Sequence, residues 1–306
     1  MRLKPFILAS LCALALSCLP SKQTPAQFTG CLPAFCNSAG GFAGSCTQST
    51  AFINRALVVT PGLDATHKTA YDTLICGLVT DGVFSKFDAL YIYATQTNGV
   101  ALLSLVSASY NQTSHGSPTF TVDRGFTGVA ASTTVYLDTG FIPSTAPSPQ
   151  FTQNSAHVSV WSVINVGAVP HAPIGLVNGA IQGTLIYPET TDTNAYFRAN
   201  SQNSTTACAC GTPVGFYLAS RNSSATITTG YKNGSLVETT NPDGAVSVQT
   251  SNILTLAANI TGSGTIAADG SSHQLAEASL GSGMSGTDDT NFYNRLRTYM
   301  TTVGVP

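Results

Sequence analysis

Aromatic and arginine side chains recur at alternating positions of three predicted strands, and this pattern suits sugar binding. Successive side chains of a strand point to opposite faces, so Tyr196 and Arg198 share one face of their strand, as Tyr217 and Arg221 do of theirs. Aromatic rings pack on the C–H surface of a sugar while neighbouring polar groups hydrogen-bond to its hydroxyls. We predict a ligand-binding face formed by Trp161, Tyr196, Arg198, Tyr217 and Arg221. Ordinary core packing is the competing interpretation of the same alternation.

Carboxylates are too few and too scattered to indicate a glycoside hydrolase. Such enzymes place two carboxyl groups on either side of the scissile bond. The chain has three glutamates, Glu189, Glu238 and Glu277, and they form no cluster. Glu189 and Asp192 come nearest to one, but Pro188 and the adjacent threonines predict a solvated loop. We therefore expect a non-enzymatic protein, and a carbohydrate-active enzyme (glycoside hydrolase or lyase) is the second alternative.

The remaining reactive residues indicate neither a serine nucleophile nor a metal centre. Residues 281–286 only approximate the Gly-x-Ser-x-Gly nucleophile elbow, and we expect a flexible turn there. Loop oxygens of residues 192–194, or those near Asp269, keep calcium open as an alternative, although no ligand spacing supports it. We predict no cofactor. The five histidines show no metal or triad spacing, and we expect them at the surface or in loops: His67, His115, His157, His171 and His273.

Residues 1–26 are predicted to be a secretory signal peptide. A basic start precedes an apolar run over residues 6–19, and a polar segment with small residues follows. The run is shorter than the roughly 20 residues that span a bilayer. We expect cleavage after Ala26 and a protein that is secreted, periplasmic or at the cell surface. The alternative is a lipoprotein signal with Cys18 as the lipidated residue.

Removal of that peptide leaves six cysteines, which we interpret as disulfide candidates. An even number of cysteines in an exported chain favours structural disulfides, whose connectivity the sequence leaves open. A zinc site is the competing interpretation, but the spacing is not that of a zinc ribbon and no histidine lies nearby. One residue separates the last two cysteines, so we expect each of these to bond to a different partner. The candidates are Cys31, Cys36, Cys46, Cys76, Cys208 and Cys210.

The composition excludes several classes of protein. Of 306 residues, 12 are Lys or Arg and 14 are Asp or Glu, so charged residues make up 8% and the net charge is −2. No basic stripe is available for a nucleic-acid backbone. The hydrophobic content of 43% is too high for a disordered chain. What remains is a neutral globular protein rich in Thr, Ser and Gly.

Short apolar runs separated by turn residues predict an all-β sandwich from residue 109 onward. Asn233-Gly234 is typical of a two-residue hairpin turn. Helices are expected over residues 66–81 and 100–106, and a last helix begins at a Thr287 cap and ends before Gly304. The predicted strands cover residues 118–123, 133–139, 156–166, 183–187, 194–200, 215–221, 225–231, 235–240, 252–260 and 272–280.

Residues 50–306 resemble the concanavalin A-like, LamG-type jelly-roll superfamily, as seen in secreted or prophage-associated bacterial proteins. Residues 28–36 are also similar to the mature start of such exported proteins. The resemblance implies a jelly-roll β-sandwich with short flanking helices and a C-terminal helix. It does not fix a function, because the superfamily includes lectins, adhesion modules, viral structural parts and glycanases. The residues that carry it are 74–75, 87–91, 118–120, 123–128, 136–141, 217–221, 231–234 and 299–304.

We therefore predict an exported recognition or surface-structural protein that binds a glycan or cell-surface polysaccharide. The main alternative is a structural or host-attachment component of a phage-like particle. We expect no nucleic-acid partner and no membrane-spanning segment, and we keep a homo-oligomer or larger assembly open. The predicted organisation is a signal peptide (1–26), a Cys-rich extension (27–50), a short helical lead-in (51–108) and the β-sandwich with its C-terminal helix (109–306).

Overall fold

Short strands form the two sheets of the fold, as the sequence predicts, and the strands over residues 156–162 and 215–221 are buried along their whole length. The computed structural model describes residues 41–167, 171–178, 182–202, 207–261 and 266–306. Within these ranges the α-helices are α1 (Thr47–Val59), α2 (Ala65–Thr80), α3 (Asn98–Ala101) and α4 (Gly286–Thr302). Strands β1 to β9 are Phe87–Ile92, Thr113–His115, Thr119–Thr121, Gly125–Thr127, Tyr136–Asp138, Ala156–Ser162, Ile174–Asn178, Gln182–Tyr187 and Ala195–Ser201. Strands β10 to β17 are Ala207–Cys208, Gly215–Arg221, Thr228–Lys232, Ser235–Thr240, Leu254–Thr255, Ala257–Asn259, Ala268–Gly270 and Gln274–Gly281.

Two sheets, paired almost wholly antiparallel, form a jelly-roll-like sandwich, and the predicted fold class is confirmed. Sheet A has the strand order β13-β12-β11-β6-β17-β4-β3, with β1 also pairing with β17. Sheet B has the order β10-β9-β8-β7-β14-β5-β2, and β15 joins it in parallel beside β7. The space between the sheets is filled by alternate side chains of both, such as Val158 and Val160 of β6 and Phe197 of β9.

Helices cover the outer face of sheet A with a second apolar layer. Trp161 of β6 and Phe216 of β11 point to this side and pack with Phe292 and Leu296 of α4. The predicted C-terminal helix is therefore present, and its apolar face packs on sheet A. Its N-terminal cap is Ser285 rather than Thr287, because Ser285 and Asp288 form a capping box with each other's backbone N–H groups.

The segment predicted as a helical lead-in contributes directly to the sandwich. The helix expected over residues 66–81 is α2. Of the helix expected over residues 100–106, only the first two residues are helical, at the end of the four-residue α3. Between these helices, β1 pairs antiparallel with β17 in sheet A. The described residues from Phe42 onward belong to one compact unit. The predicted signal peptide, with Cys18, and the cysteines Cys31 and Cys36 lie outside the described residues.

Two disulfides are present in the described part of the chain. Cys46 bonds to Cys76 and so joins the start of α1 to α2. Cys208 and Cys210 bond to each other, which corrects the expectation that each reaches a different partner. The chain turns tightly here, with the Cys210 N–H donating to the Cys208 carbonyl at 2.8 Å and the two Cα atoms 5.1 Å apart, a separation that a disulfide spans.

Three histidines expected at the surface are buried instead. His67 is held between the carboxylates of Asp64 and Asp123 at 2.9 and 2.8 Å. His157 and His273 have no exposed area. Burial is tolerated because each ring finds a partner, and Ser271 Oγ lies 2.7 Å from Nδ1 of His273. Among the described residues, no helix is long and apolar enough to cross a membrane.

Candidate functional site

The structure brings together two of the five residues predicted to bind a ligand. Tyr196 and Arg198 of β9 lie on the outer face of sheet B, because the residue between them, Phe197, points into the space between the sheets. Tyr196 is half-buried, and Arg198 is mostly buried. Both line one depression at the β8–β9 end of the sheet.

The other three predicted residues lie elsewhere in the molecule. Tyr217 and Arg221 of β11 point between the two sheets, where the Arg221 Nε donates to the Ala199 carbonyl at 2.8 Å. Trp161 is 2% exposed under α4, with its ring stacked on Tyr293 at a centroid distance of 5.8 Å. The competing interpretation, core packing, describes these three positions. Strand alternation sets which residues share a face, but it does not say which face meets solvent.

We call the depression around Tyr196 and Arg198 the tyrosine depression. Its volume is about 330 Å³, which lies at the small end of ligand sites. It combines aromatic, hydroxyl, carboxylate and guanidinium groups within one concave surface. Its lining residues are Tyr187, Thr190, Thr191, Asp192, Tyr196 and Arg198.

Strand pairing sets the two tyrosines side by side. Tyr187, the last residue of β8, is directly opposite Tyr196 in the antiparallel ladder. Residues opposite each other on one face have Cβ atoms about 5 Å apart. On its other side Tyr196 pairs with Ala207 of β10, whose methyl group is too small to cover the tyrosine ring. The result is an open aromatic surface at the edge of sheet B.

The Asp192 carboxylate is held in place by three hydrogen bonds. The Thr190 and Tyr196 hydroxyls each donate to it at 2.5 Å, and the Asn194 N–H donates at 3.1 Å. The hydrogen bond from Thr190 and then that from Tyr196 hold the pKa of Asp192 well below its usual range. The hydrogen bond to Asp192 in turn raises the pKa of Tyr196. Asp192 is therefore a fixed, ionised acceptor beside a half-buried aromatic ring.

Arg198 supplies the positive charge at the floor of the depression. Burial lowers the pKa of Arg198 from its ordinary value. A guanidinium nevertheless stays protonated at neutral pH, because its ordinary pKa is so high. Burial also raises the pKa of the Tyr187 phenol. The positive charge of Arg198 lowers that pKa, and the negative charge of Asp269 raises it. Asp269 itself contacts His171 at 3.0 Å. The depression thus offers donors and acceptors of both charge types around its two rings.

Sequence reasoning identified Tyr196 and Arg198 but did not assign Tyr187 or Thr190 to the site. Tyr187 ends a predicted strand, so only the pairing of that strand with β9 could place it opposite Tyr196. In sequence, Asp192 is one of the few carboxylates that could serve catalysis or calcium binding, and the structure gives it hydrogen-bond donors from its own loop. Within the described ranges no three His, Cys, Asp or Glu side chains are grouped to hold a metal ion.

No protein-family profile matches the chain, and no curated protein matches it. Three solved structures are similar to it. Domain 4 of an extracellular GH43 arabinanase from Geobacillus stearothermophilus, solved with arabinotriose, is 11% identical, with a TM-score of 0.42, over 68% of this chain and 98% of that chain. The binding domain of botulinum neurotoxin serotype C1 is 13% identical, with a TM-score of 0.49, over 70% and 53%. The binding domain of Paraclostridial Mosquitocidal Protein 1 is 10% identical, with a TM-score of 0.45, over 69% and 52%. The chain spans about half the length of these last two structures.

Proposed function

We propose that this protein is an exported, lectin-like β-sandwich that binds a glycan in the tyrosine depression. The observation that carries the proposal is the cross-strand pair Tyr187 and Tyr196 beside the fixed carboxylate of Asp192. A sugar needs both features, because its C–H faces pack on aromatic rings while its hydroxyls require oriented acceptors and donors. Asp192 would accept from sugar hydroxyls, and Arg198 would donate to sugar oxygens.

The preorganised geometry supports binding at low entropic cost. Two rigid strands fix the rings, and the hydrogen bonds within the loop fix Asp192 before a ligand arrives. A preorganised site loses less conformational freedom on binding than a mobile one. Export is part of the proposal and is supported by the disulfides, which persist in oxidising compartments. We also propose that the protein belongs to the LamG-type superfamily.

A glycan array with the purified protein tests the proposal. We expect selective binding that Tyr196→Ala and Asp192→Asn each weaken at least tenfold. Tyr136→Ala is the matched control, because Tyr136 is also a half-buried tyrosine of sheet B but lies on β5, outside the depression. Tyr196→Phe keeps the ring and removes the hydroxyl that holds Asp192, so it separates stacking from carboxylate positioning.

The outcomes separate this function from its alternatives. Binding that survives both Tyr196→Ala and Asp192→Asn, in variants that fold normally, would place the sugar elsewhere. A silent array together with a large, defined oligomer by size exclusion would favour the structural component of a phage-like particle. Release of shortened glycan products would favour the carbohydrate-active enzyme.

A further inference from the structure

A second cavity lies where the helices meet the start of sheet A. It has a volume of about 490 Å³, within the usual range for small-molecule sites, and shares no lining residue with the tyrosine depression. The end of α2, the start of β1 and the loops around residues 107 and 148 enclose it. Its apolar wall is formed by Val79, Phe84, Val106 and Pro147.

One carboxylate, that of Asp88, is built into this cavity. Each of its oxygens accepts a backbone N–H at 2.8 Å, Oδ1 from Gln150 and Oδ2 from Phe151, so the loop fixes its orientation. Burial raises the pKa of Asp88 above its ordinary value. Tyr110 lines the same cavity, and burial followed by the charge of Asp88 raises the pKa of its phenol. Tyr110 and the Asp88 carboxylate therefore lie on the surface of the same cavity.

The lining contains no lysine, arginine or histidine to balance this carboxylate. Lys86, the cationic residue nearest to Asp88 in the sequence, lies outside the lining, and its Nζ contacts Asp288 Oδ2 at 3.3 Å. A positively charged ligand would neutralise a partly desolvated carboxylate, an amine through a charge-assisted hydrogen bond and a quaternary ammonium through its charge alone. Phe84 and Tyr110 would add cation–π attraction and apolar contact for the body of such a ligand.

We propose that the Asp88 cavity binds a small organic cation, an amine or ammonium group on an apolar or aromatic body. The ammonium group contacts the Asp88 carboxylate, and the apolar body packs against Phe84, Val106 and Pro147. The cavity is a site separate from the glycan site, so either one can be occupied without the other.

Titration calorimetry with three cationic probes and one neutral analogue tests this site. The cations are 2-phenylethylamine, benzyltrimethylammonium and spermidine, and the neutral analogue is 2-phenylethanol. We expect at least one cation to bind with a Kd below 1 mM, at least tenfold more tightly than 2-phenylethanol. Asp88→Asn should weaken the cation at least tenfold while leaving binding of the neutral analogue unchanged, and Asp192→Asn should change neither.

A second variant keeps the test decisive if Asp88→Asn does not fold. Ser85 is exposed and lines the cavity, so Ser85→Trp fills the space without replacing the carboxylate and should abolish cation binding. Ser235→Trp, on the exposed edge strand β13, is the matched control and should bind normally. Equal affinity for 2-phenylethanol, no binding of any cation at 10 mM, or binding that survives Ser85→Trp would overturn the proposal. None of these results depends on the glycan array.

Discussion

Arg221 and Asp243 form an ion pair that lies wholly inside the sandwich. The Arg221 Nη2 donates to the Asp243 Oδ2 at 2.9 Å, and its Nε donates to the carbonyl of Ala199 on the facing sheet. The other carboxylate oxygen accepts from Ser201 Oγ at 2.8 Å. A buried charge is tolerated only when its hydrogen-bonding groups are satisfied in this way. Arg221 therefore links the two sheets instead of facing a ligand.

Asp243→Asn should destabilise the protein by about 3–5 kcal/mol, because it leaves the Arg221 guanidinium buried without its counter-ion. The free energy of unfolding from urea denaturation measures this. Asp192→Asn removes a carboxylate of the same kind from an exposed loop and should cost far less. A loss below 1 kcal/mol for Asp243→Asn would mean that the pair contributes little net stability.

Helix α4 depends on the sheet beneath it and on its own first turn. Phe292, Leu296 and Met300 bury its inner face against sheet A and α2. The capping box between Ser285 and Asp288 satisfies backbone N–H groups that would otherwise lack a partner at the start of the helix.

Ser285→Ala should lower the free energy of unfolding by about 0.5–2 kcal/mol, because it removes the N-cap acceptor. Thr287→Ala is the matched control: Thr287 is exposed and lies two residues further into the helix, so we expect a change within about 0.5 kcal/mol. Both values come from chemical denaturation followed by circular dichroism. A larger loss for Thr287→Ala than for Ser285→Ala would show that the sequence-based choice of cap was the better one.

At the scale of the whole molecule, a row of buried polar side chains joins β6 to β17 within sheet A. His157 Nε2 lies 3.1 Å from Ser279 Oγ, which lies 2.6 Å from Ser159 Oγ, and Ser159 donates to Glu277 Oε1 at 2.6 Å. Burial raises the pKa of Glu277 to about 8 and that of Asp289 to about 7. It lowers the pKa of both His157 and His273 to about 4. Each of these groups is neutral in the folded protein near pH 6.

These pKa shifts predict how stability varies with pH. Between about pH 4 and 6.5 the unfolded histidines bind protons that the folded ones do not, which makes stability rise with pH. Above about pH 4.5 the carboxyls of Glu277 and Asp289 lose their protons in the unfolded chain but keep them in the folded protein, which makes stability fall with pH. This effect ends near pH 7 for Asp289 and near pH 8 for Glu277, where the folded groups ionise too. The opposing effects offset each other up to about pH 6.5. Above that, stability should fall by at most about 1.4 kcal/mol per pH unit for each carboxyl.

Glu277→Gln should flatten this decline, because it keeps an oxygen acceptor for Ser159 and removes the group that ionises last. The measurement is the midpoint of urea unfolding for both proteins at pH 6.5, 7.25 and 8. Glu238→Gln is the control, since that residue is half-buried on the edge strand β13. Parallel pH profiles for the native protein and Glu277→Gln would contradict the raised pKa of Glu277.

The sequence by itself determined the features that depend on neighbours along the chain. Alternation predicted β6, β9 and β11, the Asn233-Gly234 dipeptide predicted a hairpin, and both of its residues have positive φ, 50° and 75°. The apolar face of the last helix was predictable because its period of 3.6 residues is a local property. The all-β class follows from many such short segments.

Only the tertiary structure decided which of these faces meets solvent and which residues become neighbours. Trp161 is covered because α4 packs on sheet A, and Arg221 is buried because its strand faces Ala199 of the other sheet. Tyr187 joins Tyr196 through the pairing of β8 with β9. These contacts are set by the packing of elements distant in sequence, where the burial of apolar area outweighs local preference. The alternation along a strand determines which side chains share a face, and only tertiary packing determines which of the two faces is buried.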